Sequence, residues 1–251
     1  MDILAPSTEV ALVRGDDRCR EFHHDLAVLC EECGVTLVAG EEGVVGPATE
    51  LVVAVGGDAL TAVARRDLST PILPVECGPG VPSVSVAEVP AVVRPILDAG
   101  GQAMELSTLS IAVDETVERA LFDVALVTDQ PARISEYSIH SGPETVARLR
   151  ADGIVVATPA GSRRYARAAG GPTVDGRVEG AVVVPIGPFV TRREQWVLSP
   201  SELSLTVERD DCDVSLQVDG VIRASIDVES AVTFDAGPRI PIVDVDRLLG
   251  P

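Results

Sequence analysis

Two clusters in this chain have the residue types and spacing that chemistry on a phosphate requires. The first runs from Asp152-Gly153 through the apolar stretch Ile154 to Ala157 into the turn Thr158-Pro159-Ala160-Gly161-Ser162. Arg163-Arg164-Tyr165 follow, and Ala169-Gly170-Gly171-Pro172 closes the segment. β-Branched residues feeding a turn of small residues collect hydroxyls and backbone N–H groups at a strand end. Such a cradle suits a phosphate or a ribose. The second cluster is Leu51-Val-Val-Ala-Val-Gly56-Gly57-Asp58. Its five apolar residues predict a buried parallel strand, and the glycine pair lets the backbone turn sharply and approach a ligand closely. Asp58 then falls at the carboxyl end of the strand, where open α/β sheets bind ligands. Either cluster alone could be an ordinary turn; their order and separation in one chain give them weight.

The elements around them follow from the apolar pattern. Val10 to Val13 predicts a strand and Asp16 to Cys33 a helix, with Asp16 and Asp17 suited to its positive N-terminal end. Gly34 ends that helix. Val35 to Val38, Leu51 to Val55 and Ile72 to Val75 predict further strands, and Ala59 to Arg66 and Val86 to Ala99 helices, the last in spite of Pro90 and Pro95. Strands alternating with helices indicate an α/β domain with a mainly parallel sheet. After Gly100-Gly101 the pattern changes to short runs separated by turn residues: Ser107 to Val113, Leu121 to Thr128, Ile134 to His140, Ile154 to Ala157, Ala181 to Ile186, Ser204 to Val207, Val214 to Val218 and Arg223 to Val228. That pattern predicts an antiparallel sandwich or a distorted barrel. The expected organisation is therefore α/β plus all-β: a Rossmann-like nucleotide-binding domain over residues 1–100, then a β-sandwich domain over residues 101–251.

Composition narrows the classes of function. The chain has 251 residues, enough for one large or two small domains, and a formal charge of −19. All 20 basic residues are arginine, and the sequence contains neither lysine nor asparagine. Its 46% hydrophobic content marks a folded chain rather than a disordered one. Self-repulsion of that size is screened at high salt, so a salt-adapted, haloarchaeal cytoplasm is one origin and an acidic protein of a high-GC organism the other. Nucleic acid is a poor partner for such a surface. Met1 to Pro6 has no signal-peptide character, and no apolar run approaches the ~20 residues of a membrane span; a cytoplasmic location is expected. The five cysteines, Cys19, Cys30, Cys33, Cys77 and Cys212, form no disulfide framework. Cys30-x-x-Cys33 beside Cys19, His23 and His24 could suggest a metal, but Cys19, Phe22, Leu26, Cys30 and Cys33 recur at helical spacing. They are expected on a buried helix face, as small hydrophobes.

Together the two clusters resemble the NAD kinase family. Its members carry a strand followed by Gly-Gly-Asp-Gly, later Asp-Gly with Thr-Pro-Thr-Gly-Ser-Thr-Ala-Tyr, then Ala-Gly-Gly-Pro. This chain has Gly56-Gly57-Asp58-Ala59, Asp152-Gly153, Thr158-Pro159-Ala160-Gly161-Ser162-Arg163-Arg164-Tyr165 and Ala169-Gly170-Gly171-Pro172. The likeness continues through Val183-Val-Pro-Ile-Gly-Pro188 and Val218-Asp219-Gly220, so it covers most of the chain from Leu51 onward. It implies the two-domain architecture above, with the last fifteen or so residues returning to the first domain, and assembly as a homodimer or homotetramer.

The resemblance also implies a reaction. ATP would deliver its γ-phosphoryl group to the adenosine 2′-hydroxyl of NAD, with Mg²⁺ on the triphosphate. Asp58 would be the catalytic carboxylate, acting as general base or orienting the hydroxyl, directly or through the metal. Gly56 and Gly57 would give close backbone approach to phosphate. Asp123, Arg150, Asp152, Thr158, Ser162, Arg163 and Tyr165 would contact nucleotide, Asp152 across a subunit interface; for Arg150 an ion pair, and for Tyr165 packing beneath the loop, are equal alternatives. With no lysine, phosphate charge must fall to backbone N–H groups, Mg²⁺ and arginine. Several positions depart from the family pattern. Ala59 adds a Cβ where the family has glycine, Arg163-Arg164 replace Thr-Ala, Phe122 stands for Asn before Asp123, and Glu76 replaces Asn in Pro74-Val-Glu-Cys-Gly78. Phenylalanine cannot make an amide's hydrogen bonds. A nucleotide-binding paralogue without turnover is therefore the alternative to an active kinase, and a kinase acting on another hydroxyl, as in the related lipid kinases, is a third.

Overall fold

A computed structural model of the chain describes residues 8–14, 20–130, 133–189, 194–209 and 212–249. The expectations for Met1 to Pro6, Asp16, Asp17 and Cys19 fall outside these residues. The chain divides into two compact units, Met1–Leu106 with Ile240–Pro251, and Ser107–Arg239.

The first unit is built from β1 (Glu9–Arg14), α1 (Arg20–Glu32), β2 (Thr36–Gly40), β3 (Thr49–Val55), α2 (Gly57–Ala64), β4 (Ile72–Val75), α3 (Val89–Ala99) and β5 (Ala103–Leu106). Strands β2, β1, β3 and β4 lie side by side and parallel. The central three are buried along almost their whole length, which is why they read as continuous apolar runs rather than alternating ones. The order 2-1-3-4 reverses direction between β1 and β3, and ligands of open α/β sheets gather outside the carboxyl ends of strands at such a point. Phe22, Leu26, Leu29 and Cys30 of α1 reach the core of this unit. Pro90 sits in the first turn of α3, where a missing N–H costs little, whereas Pro95 lies inside the helix.

The second unit is an antiparallel sandwich. Its elements are β6 (Leu109–Val113), β7 (Thr116–Ala120), β8 (Asp123–Thr128), β9 (Ser135–Ser141), β10 (Glu144–Ala151), β11 (Gly153–Ala157), α4 (Tyr165–Ala168), β12 (Ala181–Ile186), β13 (Trp196–Leu198), β14 (Leu203–Arg209), β15 (Val214–Val218), β16 (Val221–Ile226) and β17 (Ala231–Ala236). One sheet has the order β10-β9-β14-β17-β6-β7 and the other β13-β12-β11-β8-β15-β16. Alternate residues of both meet in a shared core, among them Ile111, Leu126, Tyr137, Ile154, Val183, Leu205, Leu216 and Phe234. The second sheet is also covered on its outer face. Ala125, Val155, Ala157, Val182 and Val184 pack there with Ala166 and Val174. β11 and β12 therefore appear in the sequence as unbroken apolar runs, and the segment that covers them is the one that begins at Thr158. The chain then returns to the first unit as β18 (Ile240–Val243), parallel to β4 and antiparallel to β5, and ends in α5 (Val245–Leu249).

Candidate functional site

The loop after β11 is held by its own hydroxyls. Thr158 is buried, and its N–H donates to the Phe122 carbonyl at 2.9 Å. Its Oγ1 donates to the Leu121 carbonyl at 2.7 Å and accepts from the Gly161 N–H at 3.0 Å. Ser162 is fully buried; its Oγ donates to the Pro159 carbonyl at 2.6 Å and accepts from the Val174 N–H at 3.0 Å. Both hydroxyls thus brace the loop from within. Short side chains that bond their own backbone are the standard means of fixing such a turn. Gly161 is required for a different reason from backbone freedom: a Cβ there would lie 1.8 Å from the Phe122 carbonyl oxygen. The loop is thus seated directly on residues 121 and 122.

Those residues are themselves pinned by a group to which the sequence assigned no role. The Asp219 carboxylate, in the turn between β15 and β16, accepts the N–H groups of Leu121 at 3.0 Å, Phe122 at 2.7 Å and Asp123 at 3.2 Å. Asp219 adopts φ +49°, which aspartate tolerates better than most residues. That the Asp219 carboxylate braces a segment of the neighbouring strand is tertiary information. Asp123 is buried beside it, 8% exposed. Burial first, and the Asp219 charge second, push the Asp123 carboxyl up to about 6, while Arg164 pulls it down. Two carboxylates placed together and partly desolvated favour a proton on one of them.

Arg164 lies with its guanidinium carbon 3.8 Å from the centroid of the Phe122 ring, a cation–π contact. Phe122 is buried and Arg164 half-buried. Two departures from the family motif, separate in the sequence, therefore touch. Tyr165 follows and is 41% exposed. Its hydroxyl pKa is raised by burial of part of the ring and by the charges of Asp123 and Asp152. Asp152, Asp123, Arg164 and Tyr165 thus act on one another around one corner of the second unit. Asp152 is exposed, and its backbone ties β11 to β12 and β8 through Ile186 and Thr128. Arg150 is exposed at the end of β10, opposite Glu136 of β9. Arg163 is exposed and close enough to Asp175 to lower its carboxyl pKa, with Arg177 the main cause. A cavity of about 240 Å³ opens beside Thr158 and Pro159, bounded also by Thr108, Gly180, Ser199 and Gly237.

In the first unit β3 delivers its Gly-Gly-Asp turn at the carboxyl end of the sheet. Gly56 caps α2 with φ +86°, a conformation open to glycine, and its N–H donates to the Val75 carbonyl at 2.8 Å. Gly57 and Asp58 open the helix, and Asp58 is exposed in the first turn. Ala59 lies inside α2, 3% exposed, and has no positive φ. The Cβ that Ala59 adds therefore meets no positive φ, and the methyl group is buried. Glu76 does adopt φ +51°, in the position where the family carries asparagine. Next to it the buried Cys77 thiol lies 3.4 Å from the Gly56 carbonyl and 3.5 Å from that of Val75. Cys30 is 1% exposed in the apolar core, and burial, with Cys33 adding a smaller effect, pushes its thiol up to about 11. A thiol so placed behaves as a hydrophobe. Among the described residues no helix is long and apolar enough to cross a membrane.

Comparison with known proteins agrees with this geometry. The family model for the ATP-NAD kinase C-terminal domain matches residues 121–242, the stretch that holds Phe122, the Thr158 loop and Asp219. The chain is 28% identical over 246 residues to an NAD kinase of Methanospirillum hungatei, covering 92% of this chain and 91% of that one. It is 31% identical over 197 residues to an NAD kinase of Methanosarcina barkeri, covering 76% and 70% respectively. Among solved structures, an NAD kinase from Archaeoglobus fulgidus in complex with ATP superposes with a TM-score of 0.81 at 20% identity, covering 96% of this chain and 95% of that one. Yeast NADH kinase complexed with NADH gives 0.82 at 18% identity, covering 96% and 84%. The chain belongs to the NAD kinase family and is a kinase.

Proposed function

We propose that this kinase transfers the γ-phosphoryl group of ATP to the adenosine 2′-hydroxyl of NAD, giving NADP and ADP. The 2′-oxygen forms a bond to the γ-phosphorus as the bond from that phosphorus to the bridging oxygen of ADP breaks. The hydroxyl proton passes to Asp58 and then to solvent. The observation that carries this proposal is the position of Asp58: an exposed carboxylate in the first turn of α2, at the carboxyl end of β3 beside the topological switch. Phosphoryl transfer is mostly positioning and charge neutralisation, and the residues divide along that line. Gly56 and Gly57 let the backbone come close to phosphate. Thr158 and Ser162 are positioning residues that set the loop. Asp123, Asp152, Tyr165, Arg150 and Arg163 are the groups proposed to reach nucleotide, Asp152 from a neighbouring copy in a homodimer or homotetramer. An aspartate oxygen suits Mg²⁺, which keeps several waters and takes one or two carboxylates together with substrate phosphates. Asp58 would hold it, and the ion would neutralise triphosphate charge.

The test is NADP formation by purified protein with NAD, Mg²⁺ and ATP in molar KCl, with polyphosphate as a second donor. Wild type should turn over with ATP. Asp58→Asn should lower kcat by at least about 100-fold, within the range for removal of a positioned acid or base, with little change in NAD affinity. NAD binding by calorimetry without any turnover would sink the kinase proposal in favour of a nucleotide-binding paralogue.

A further inference from the structure

Asp219 Oδ1 accepts the N–H groups of Phe122 and Asp123 at 2.7 and 3.2 Å, and its Oδ2 accepts that of Leu121 at 3.0 Å. In return the Asp219 N–H donates to the Asp123 carbonyl at 2.8 Å. The carbonyls of the same short segment carry the loop after β11. That of Leu121 accepts the Thr158 hydroxyl at 2.7 Å, and that of Phe122 accepts the Thr158 N–H at 2.9 Å. One carboxylate therefore fixes a segment and, one hydrogen bond further on, the loop seated on it. The φ of +49° in this turn does not call for a carboxylate, since glycine or asparagine serves such a position. What the carboxylate grips explains it. The side chain held at the end of this arrangement is Asp123, 8% exposed and one of the groups proposed to reach nucleotide.

We propose that Asp219 is a positioning residue for the reaction: by gripping the N–H groups of residues 121–123 it sets where the Asp123 carboxylate stands before NAD arrives. This rests on NAD being the substrate and Asp123 one of its contacts. The same placement couples the two charges. Three groups act with Asp123 from the elements around it: Asp219 from the turn between β15 and β16, Arg164 from the cap of α4, and Tyr165 from α4 itself. Burial and then the Asp219 charge raise the Asp123 carboxyl to about 6 against the pull of Arg164. The Tyr165 hydroxyl, raised above its ordinary value of 10.0, is uncharged in that range. An ionised carboxylate is the form that only accepts hydrogen bonds, as a nucleotide hydroxyl requires. Use of NAD should therefore fall as pH drops through about 6.

The test is the pH profile of NADP formation in molar KCl by wild type, Asp219→Asn and Asp219→Ala. Asp219→Asn keeps a carbonyl oxygen for Phe122 and Asp123 but loses the charge and the acceptor for Leu121. It should raise KM for NAD about 10-fold with a smaller change in kcat, and Asp219→Ala should lose ~100-fold in kcat/KM, the scale for a misplacement at a distance from the chemistry. In Asp219→Asn the acidic limb of kcat/KM should also move to lower pH, because the charge that raised the Asp123 carboxyl is gone. Amide hydrogen exchange on the wild type guards against variants that do not fold. The N–H groups of Leu121 and Phe122 should be protected before NAD is added, and exchange as fast as in an open loop would overturn the proposal. Unchanged kcat/KM in folded Asp219→Asn would overturn it, whatever the loss of stability. A fall in kcat/KM with the limb unmoved would also overturn it, since Asp219 would then act otherwise than through Asp123. Both results leave the kinase proposal intact. Absence of NAD turnover by the wild type would remove that proposal, and this inference with it.

Discussion

A β-carbon at position 161 would sit 1.8 Å from the Phe122 carbonyl oxygen, so Gly161→Ala must push the loop off its seat. Overpacking of this kind typically costs about 1–3 kcal/mol, and here backbone is the obstacle, so the upper end is expected. A lower melting temperature together with abolished nucleotide binding would show it; a fully stable variant would contradict the seating. Asp123 makes a prediction with a definite sign. Its folded carboxyl lies near 6, above its ordinary value of 3.8, so the folded state holds the proton more tightly than the unfolded one. Its ionised form therefore opposes folding at neutral pH, and the penalty disappears as pH falls from about 6 to about 4. Asp123→Asn should raise stability at pH 7, on the order of 1–3 kcal/mol, with the gain shrinking toward pH 4. Denaturant titrations at both values measure it. At this scale the sequence shows the motif residues but not the bonds they make within the fold. Thr158 and Ser162 were legible as a motif; the Ser162 bond to the Pro159 carbonyl is local, whereas the Leu121 carbonyl comes within reach of Thr158 only in the fold.

Many elements buried on one or both faces were readable, since burial imposes an apolar pattern on the chain, although β17 and β18 were not read as strands. β12 and β15 coincide with runs visible in the sequence. β7, β10 and β13 are not visible as apolar runs. They lie at the edges of the two sheets of the sandwich, and β10, Glu-Thr-Val-Ala-Arg-Leu-Arg-Ala, is largely exposed or half-exposed. An edge strand is specified by backbone pairing with its neighbour, and charged residues there discourage further pairing. The hairpin between β15 and β16 was readable as a turn, while its function as a brace was not. Asp219→Ala would strand three N–H groups and place alanine at φ +49°. The expected cost is on the order of 2–4 kcal/mol, less for Asp219→Asn, which keeps an acceptor. Both variants remove the Asp219 charge, so the Asp123 carboxyl pKa should fall. Thermal melts and pH titration by NMR check the two effects.

For the whole molecule, charge and connectivity matter most. A net charge of −19 with arginine as the sole cation source repels itself at low ionic strength, and the Debye length falls from ~10 Å at 0.1 M salt to ~3 Å at 1 M. The melting temperature should climb as KCl rises from 0.1 to 2 M; a flat profile would count against salt adaptation. The division into units falls after Leu106 rather than near Gly101, because Ala103–Leu106 pairs with Ile240–Val243, a strand more than a hundred residues later. The sequence by itself determined the fold class, the two chemical clusters and the family resemblance, because apolar periodicity and the small residues of a phosphate turn are local properties. Only the tertiary structure decided that Asp219 braces residues 121–123, that Gly161 is needed for contact with Phe122, and that Phe122 and Arg164 form one unit. Each of those facts joins residues far apart in the chain, and only packing brings them within bonding distance.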